Sequence, residues 1–264
     1  LMRKVGIDLD KALWRLPLNL QDAKGEGLAL PPLPFPFNLL GGIAFAKGWR
    51  IYDKWSLLTT AFKWQRMQFQ CDAALTVQDL CQGLSPRVWR DLIEPLCVSA
   101  LNTPANQASG SVFLRVLQDA VFGPKGSADL LLPRQDLGEI FPHAAVRWLE
   151  AHGAICKLGA RIEQLTWNTT NSRIWEVGEN AFDRVVLATP AWDAATLLAP
   201  FNPSWAKTAS ALVHEPIATV YVQAHAAFQL PQPMLALQSN NQAPAQFVFD
   251  RGQMMTTHKT PGLL

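Results

Sequence analysis

The chain has 264 residues, 49% hydrophobic and 17% charged, enough apolar material for a buried core in one large domain or two small ones. Its 23 basic and 21 acidic residues give a net charge of +2 without a Lys/Arg block or stripe, so no nucleic-acid partner is expected. Cys71, Cys81, Cys97 and Cys156 lack CxxC spacing and the five histidines form no HExxH pattern; no metal site is expected, and the cysteines read as reduced thiols.

In chain order, "LWRLPLNLQ" alternates as short strands do, and the prolines of "LPPLPFPF" mark an extended connector, because each blocks helix and removes a backbone donor. Helical signals follow from about Phe37 to Phe122. "DKWSLLTTAFKWQRMQF" carries Trp55, Leu58, Phe62 and Met67 near one face. "TVQDLCQGL" opens with a Thr76 cap and Asp79 in capping-box position, and "SPRVWRDLIEPL" has Ser85 as N-cap before Pro86. A further helix is predicted in "SGSVFLRVLQDAVFG", ended by Gly123 and Pro124.

"DLLLP" (129–133) then predicts a short buried strand, and "LGEIFPHAAVRWLEAHG" a helix kinked at Pro142 and ending at Gly153, with His143 a structural residue at the kink. "AICKLG", "RIEQLTWNT", "SRIWEVG" and "AFDRVVLAT" read as a β-meander entering a final apolar strand. "PIATVYVQAH", "PMLALQS" and "AQFVFDRG" are further predicted strands. The fold class is α+β, a helical insertion among segments of a mixed β-sheet.

The stretch "FDRVVLATPAWDAATLL" (182–198) ends an apolar run in Ala188, Thr189 and Pro190 just before a predicted helix. By itself this is a strand-to-helix connection, with Thr189 as cap and Pro190 in the first turn. The order helix, Gly153, strand, "ARI", meander, "DRVVLATP", helix resembles the flavin-binding half of the phytoene desaturase and flavin amine oxidase superfamily. "EPLCVSALNTPANQAS" (94–109), "SADLLLPRQDLGEIFP" (127–142), "QFVFDRG" (246–252), "RLPLNL" and "PIATVYVQ" (216–223) are similar to the squalene-associated FAD-dependent desaturases, the hydroxysqualene dehydroxylases of bacterial hopanoid biosynthesis.

The resemblance implies FAD as cofactor, with Ile162, Ala188, Thr189 and Pro190 along its edge. It also implies removal of an allylic hydroxyl from a C30 isoprenoid, reduced FAD delivering hydride. Such chemistry needs an acid near the departing oxygen and a dry apolar tunnel. Ten tryptophans and thirteen phenylalanines suit the walls, and Asn102, Arg134, Tyr221 and Phe249 are tunnel candidates. Asp136, Asp250 with Arg251, and Asn102 with Thr103 are candidates near the oxygen; none is assigned as catalytic. Arg134 beside an Asp equally fits a loop anchor. The family's GxGxxG turn, which holds the FAD pyrophosphate, is missing, since "GEGLAL" (25–30) runs into Pro31-Pro32. The expectation is therefore a central fragment of a longer chain with an incomplete FAD-binding domain.

Its expected parts are a strand and Pro-rich connector (1–36), a helical subdomain (37–126), a partial FAD-binding part with the meander (127–200) and a return to the substrate-domain sheet (201–264). A carotenoid or phytoene-type desaturase, another flavin amine oxidase-like enzyme, and a non-catalytic isoprenoid-binding module stay open, as does the oligomeric state. A cytoplasmic location is expected, with peripheral contact at the inner face of the membrane. In "FPFNLLGGIAFAKGWRIYDKW", Phe35, Phe37, Leu39, Leu40, Ile43 and Phe45 precede Lys47, Arg50 and Lys54, the make-up of an interfacial patch; burial within the domain is the competing explanation.

Overall fold

The computed structural model describes residues 1–168, 174–240, 242–256 and 260–264. The chain divides into two compact units, Leu1–Trp148 with Ile217–Leu264, and Leu149–Pro216. The first opens with a 3-10 turn (Met2–Val5), α1 (Leu9–Ala12) and three strands, β1 (Leu13–Leu16), β2 (Asn19–Gln21) and β3 (Gly27–Ala29). Pro17 cannot donate to a ladder, and it separates β1 from β2. The "GEGLAL" segment closes the β2–β3 hairpin, which buries Leu20 opposite Leu28. Gly27 has φ +118°, and a Cβ there would lie 2.6 Å from the Leu20 carbonyl oxygen, so this glycine serves strand pairing.

Helices follow: α2 (Phe37–Phe45), α3 (Ile51–Arg66), α4 (Val77–Leu80), α5 (Pro86–Val88), a π-helical turn (Trp89–Ile93), α6 (Glu94–Leu101) and α7 (Gly110–Ala120). The expected caps form. Thr76 and Asp79 cap each other reciprocally, and Ser85 Oγ accepts from the Val88 N–H at 3.3 Å. The wide turn ends two residues before Pro95, which has no N–H for the carbonyl of Asp91. On α7, Phe113, Leu114 and Leu117 face inward at helical spacing.

Helix α3 reverses the expected polarity. Trp55 and Phe62, placed on one face by the sequence, are 66% and 68% exposed, and the opposite face is buried through Asp53, Ser56, Leu57, Thr60, Ala61 and Trp64. Polar contacts anchor that buried face. Ser56 Oγ donates to the Asp53 carbonyl (2.7 Å) and accepts from the Ser85 N–H (3.1 Å), and Asp53 Oδ2 accepts from the Arg50 N–H (2.7 Å). Burial pushes the Asp53 carboxyl up, but bonds from Ser85 and Arg50 and the charges of Arg50 and Arg87 more than offset this and hold it below its ordinary value.

A lowered folded-state pKa contributes stability that is complete above the ordinary carboxylate range and is lost as pH falls through the lowered value. Asp53→Asn is therefore expected to cost about 1 kcal/mol at neutral pH. Thermal unfolding followed into acid should show the gap between variant and wild type closing.

Strand β4 (Leu130–Pro133) forms as predicted and pairs antiparallel with β1, Leu132 inward and Leu131 outward, so it is half-buried. The single kinked helix becomes two, α8 (Leu137–Ile140) and α9 (Pro142–Ala151), separated at Phe141. Pro142 opens a first turn, where its missing N–H costs nothing.

The second unit holds the meander β5 (Thr166–Asn168), β6 (Ile174–Val177) and β7 (Asn180–Phe182), with α10 (Ala191–Leu198) and α11 (Pro203–Ser210). Positions 169 and 172–173 of the predicted strands lie outside the described residues. Trp175 packs against Trp167 and Phe201, ring centroids 4.8 and 5.0 Å apart. Small side chains, Ala195, Ala206 and Ala209, form a separate apolar cluster on α10 and α11.

The first unit resumes with β8 (Met234–Ala236), β9 (Phe247–Phe249) and α12 (Arg251–Met254). Leu132, Met234 and Met254 join Leu20, Leu28, Trp64 and Phe113 in one core.

Three expected strands are not formed. "VVLA" is unpaired, with Val186 89% exposed, "AICKLG" is irregular, and of "PIATVYVQAH" only Gln223 makes a bridge, to Leu263. A strand buried on both faces is held by neighbours at both edges, and among the described residues none pairs with 184–188. The β-structure consists of small antiparallel sheets, which corrects the expected mixed sheet while the α+β class stands.

Candidate functional site

Two features of the first unit are candidate site elements. One is a cavity of ≈ 30 Å³ lined only by apolar and aromatic residues, among them Leu39 on α2, Leu57 and Trp64 on α3, Ile93 and Leu117. That volume admits a water-sized group, so a longer ligand enters only as the helices part. Trp64 is 2% exposed, and its indole Nε1–H finds no acceptor among the described residues. An unsatisfied buried donor costs about 1–3 kcal/mol. The cavity presents no polar surface: Trp64 contributes its ring to the wall, and its N–H is enclosed by the surrounding packing.

The other is a polar cluster drawn from distant segments. Arg251 Nη2 donates to Asp136 Oδ1 at 3.3 Å, and its guanidinium lies 5.8 Å from the Tyr221 ring centroid. Arg134 forms no ion pair among the described residues; its guanidinium lies 6.0 Å from the Trp14 ring centroid, and its carbonyl accepts from the N–H and the hydroxyl of Thr256. The Nε of both arginines is buried and has no partner among the described residues. Phe249 pairs with Met234 across β8 and β9.

Asp250 has a different task. It is 1% exposed, and its carboxylate accepts from the N–H groups of Leu230 (2.9 Å) and Gln253 (3.1 Å) and from Gln253 Nε2 (2.7 Å). It caps α12 and anchors the loop before β8, so its oxygens are committed. Asn102 ends α6 in a left-handed conformation, φ +49°, a position that Asn tolerates. The Thr103 hydroxyl donates to the Leu101 carbonyl. Neither residue lines the cavity.

Ile162, Ala188, Thr189 and Pro190 lie in the second unit. All four are exposed, and Pro190 stands at the N-cap of α10, without a side-chain cap from Thr189. Among the described residues no strand, glycine turn and helix follow one another as a pyrophosphate site requires, so these residues do not fit FAD by themselves. His143 is exposed and bonds Glu139 through Nδ1 at 2.9 Å, a local link between α8 and α9.

Cys81 and Cys97 are buried thiols held in the protonated, unreactive form. Burial, then the neighbouring Cys97, pushes Cys81 up to about 12, and burial, then Glu94, pushes Cys97 up to about 11.

Sequence reasoning missed Trp64, one tryptophan among ten, and the outward face of α3. Only the position of Trp64 two residues after Phe62, hence on the other side of the helix, signals its burial.

The first unit is thus an α+β body with an apolar cavity under its helices and an Arg–Asp–Tyr cluster at its returning strands. The chain is similar to hydroxysqualene dehydroxylase of Zymomonas mobilis subsp. mobilis (strain ATCC 31821 / ZM4 / CP4), 24% identical over 116 residues, which are 42% of this chain and 28% of that protein. No family model matches the chain.

Proposed function

We propose that the chain supplies the isoprenoid-binding part of an FAD-dependent oxidoreductase that converts hydroxysqualene to squalene, a step of hopanoid biosynthesis. The observation that carries this reading is the cavity under α2 and α3 lined by apolar and aromatic side chains alone. A hydrocarbon chain matches that lining, and the similarity to a hydroxysqualene dehydroxylase supports a hydroxyl-bearing isoprenoid as the ligand. The hydroxyl leaves as water after protonation, and a hydride, which the flavin supplies when bound, closes the carbon. This chain's contribution is to enclose the hydrocarbon and exclude water. Asp136, held by Arg251, is the carboxylate of the cluster that is not consumed by backbone donors.

A second reading, a non-catalytic isoprenoid-binding module, is favoured by the exposed and unpaired 184–190 segment. The test is incubation of the protein with hydroxysqualene, FAD and dithionite, followed by mass spectrometry of the extracted lipids. Formation of squalene supports the dehydroxylase. Because this chain's residues do not fit FAD by themselves, saturable binding without conversion is compatible with both readings, and absence of binding removes both. The 264-residue chain alone is expected to purify colourless; a stoichiometric flavin absorbance band would show that it holds FAD unaided.

A further inference from the structure

We propose that the outer faces of α2 and α3 form a docking surface for an anionic lipid bilayer. Exposure and charge alone support this surface, independently of the substrate reading.

At 100° per residue, Ile51, Trp55, Leu58 and Phe62 fall within about 60° of arc on α3. This arc lies opposite the buried Asp53, Ser56, Leu57, Thr60 and Trp64. Ile51, Trp55 and Phe62 are exposed, as is Tyr52 beside them. A soluble surface helix turns its apolar stripe to the core. Here the core-facing side is anchored by hydrogen bonds of Asp53 and Ser56, and the aromatic side faces out.

Helix α2, which α3 touches at Ala44, also exposes large apolar side chains, Phe37, Leu40 and Phe45. Of the stretch expected to be interfacial, Leu39 and Ile43 are instead core residues, and Phe35 packs against Phe122. A Cβ on Gly42 would lie 2.6 Å from Leu30 Cδ2, so α2 rests closely on the hairpin and only its outer side is free. The two helices are joined where Lys54 Nζ donates to the Ala44 carbonyl at 2.6 Å.

Charge selects the occupant. Residues 37–70 contain Lys47, Arg50, Lys54, Lys63 and Arg66 against a single acid, Asp53, and that acid is buried and bonded to the Arg50 N–H. On the helix, Lys54 and Arg66 flank the stripe on opposite sides. A cationic fringe around exposed Trp, Tyr and Phe complements anionic headgroups over an acyl boundary. A second copy of the same face would bring like charges together. No described helix is long and apolar enough to cross a membrane, and a 16-residue α3 suits lying in the interface. Leu57 and Trp64, on its inner side, wall the cavity, so docking would put lipid on one side of α3 and the cavity on the other.

The experiment is flotation with phosphatidylcholine vesicles, with and without about 30% phosphatidylglycerol. The wild-type protein is expected to float with the anionic vesicles, and Phe45→Ser/Trp55→Ser/Phe62→Ser to bind at least about tenfold more weakly. All three side chains are exposed, so the thermal midpoint should not fall. Lys54→Glu/Arg66→Glu should lose the preference for anionic vesicles. Failure of the wild type to float, or equal flotation of the triple variant, overturns the proposal. Self-association through this face without flotation assigns it to a second copy and likewise overturns it. Neither substrate nor flavin is present, so the result is independent of the dehydroxylase reading.

Discussion

Replacing Asp250 by alanine is expected to lower stability by about 3 kcal/mol. The carboxylate is inaccessible and accepts three hydrogen bonds, from the Leu230 and Gln253 N–H groups and from Gln253 Nε2. Truncation removes the N-cap of α12, a helix of only four residues, and leaves the partly buried Leu230 N–H without an acceptor. Met254 on α12 belongs to the core, so the loss reaches the packing. Asp250→Asn keeps one acceptor oxygen but turns an amide donor toward existing donors, so an intermediate loss is expected. Urea unfolding measures both. Wild-type stability in Asp250→Ala would show that the carboxylate is not needed by the fold and would restore it as a candidate acid.

What was legible in the sequence follows the range of the forces involved. The Thr76–Asp79 box and the Ser85 cap before Pro86 are decided within four residues and formed as read. The orientation of α3 was not legible, because both its faces carry large apolar residues, Leu57 and Trp64 on one, Trp55 and Phe62 on the other. What decides between them is the meeting of Ser56 with the Ser85 N–H, 29 residues away.

The unpaired 184–188 run shows the converse. β-propensity is strong there, but a strand exists only with a partner, and this chain's described residues supply none. The site divides in the same way. Asp136, Arg251 and Tyr221 were candidates singly, and only the fold brings them together. The role of Asp250 depends on Leu230, a residue without any signal of its own.

Trp64→Phe is expected to abolish discrimination between an isoprenoid alcohol and its parent hydrocarbon. In the wild type the Trp64 ring walls a hydrocarbon-lined cavity while its indole N–H is enclosed without an acceptor, so only a ligand that parts the helices can supply one. A ligand hydroxyl that reaches it gains a hydrogen bond and satisfies the stranded donor, about 1.4 kcal/mol or tenfold in affinity. Squalene, lacking the hydroxyl, gains only burial. Phenylalanine keeps an aromatic wall and deletes the donor, so hydroxysqualene should lose about tenfold while squalene binding changes little. The ratio of the two dissociation constants, read by competition against a fluorescent polyene, is insensitive to any general loosening of the cavity, since loosening affects both ligands alike. An unchanged ratio would mean that the hydroxyl does not reach Trp64, and a ratio near unity in the wild type would mean that the cavity reads only hydrocarbon.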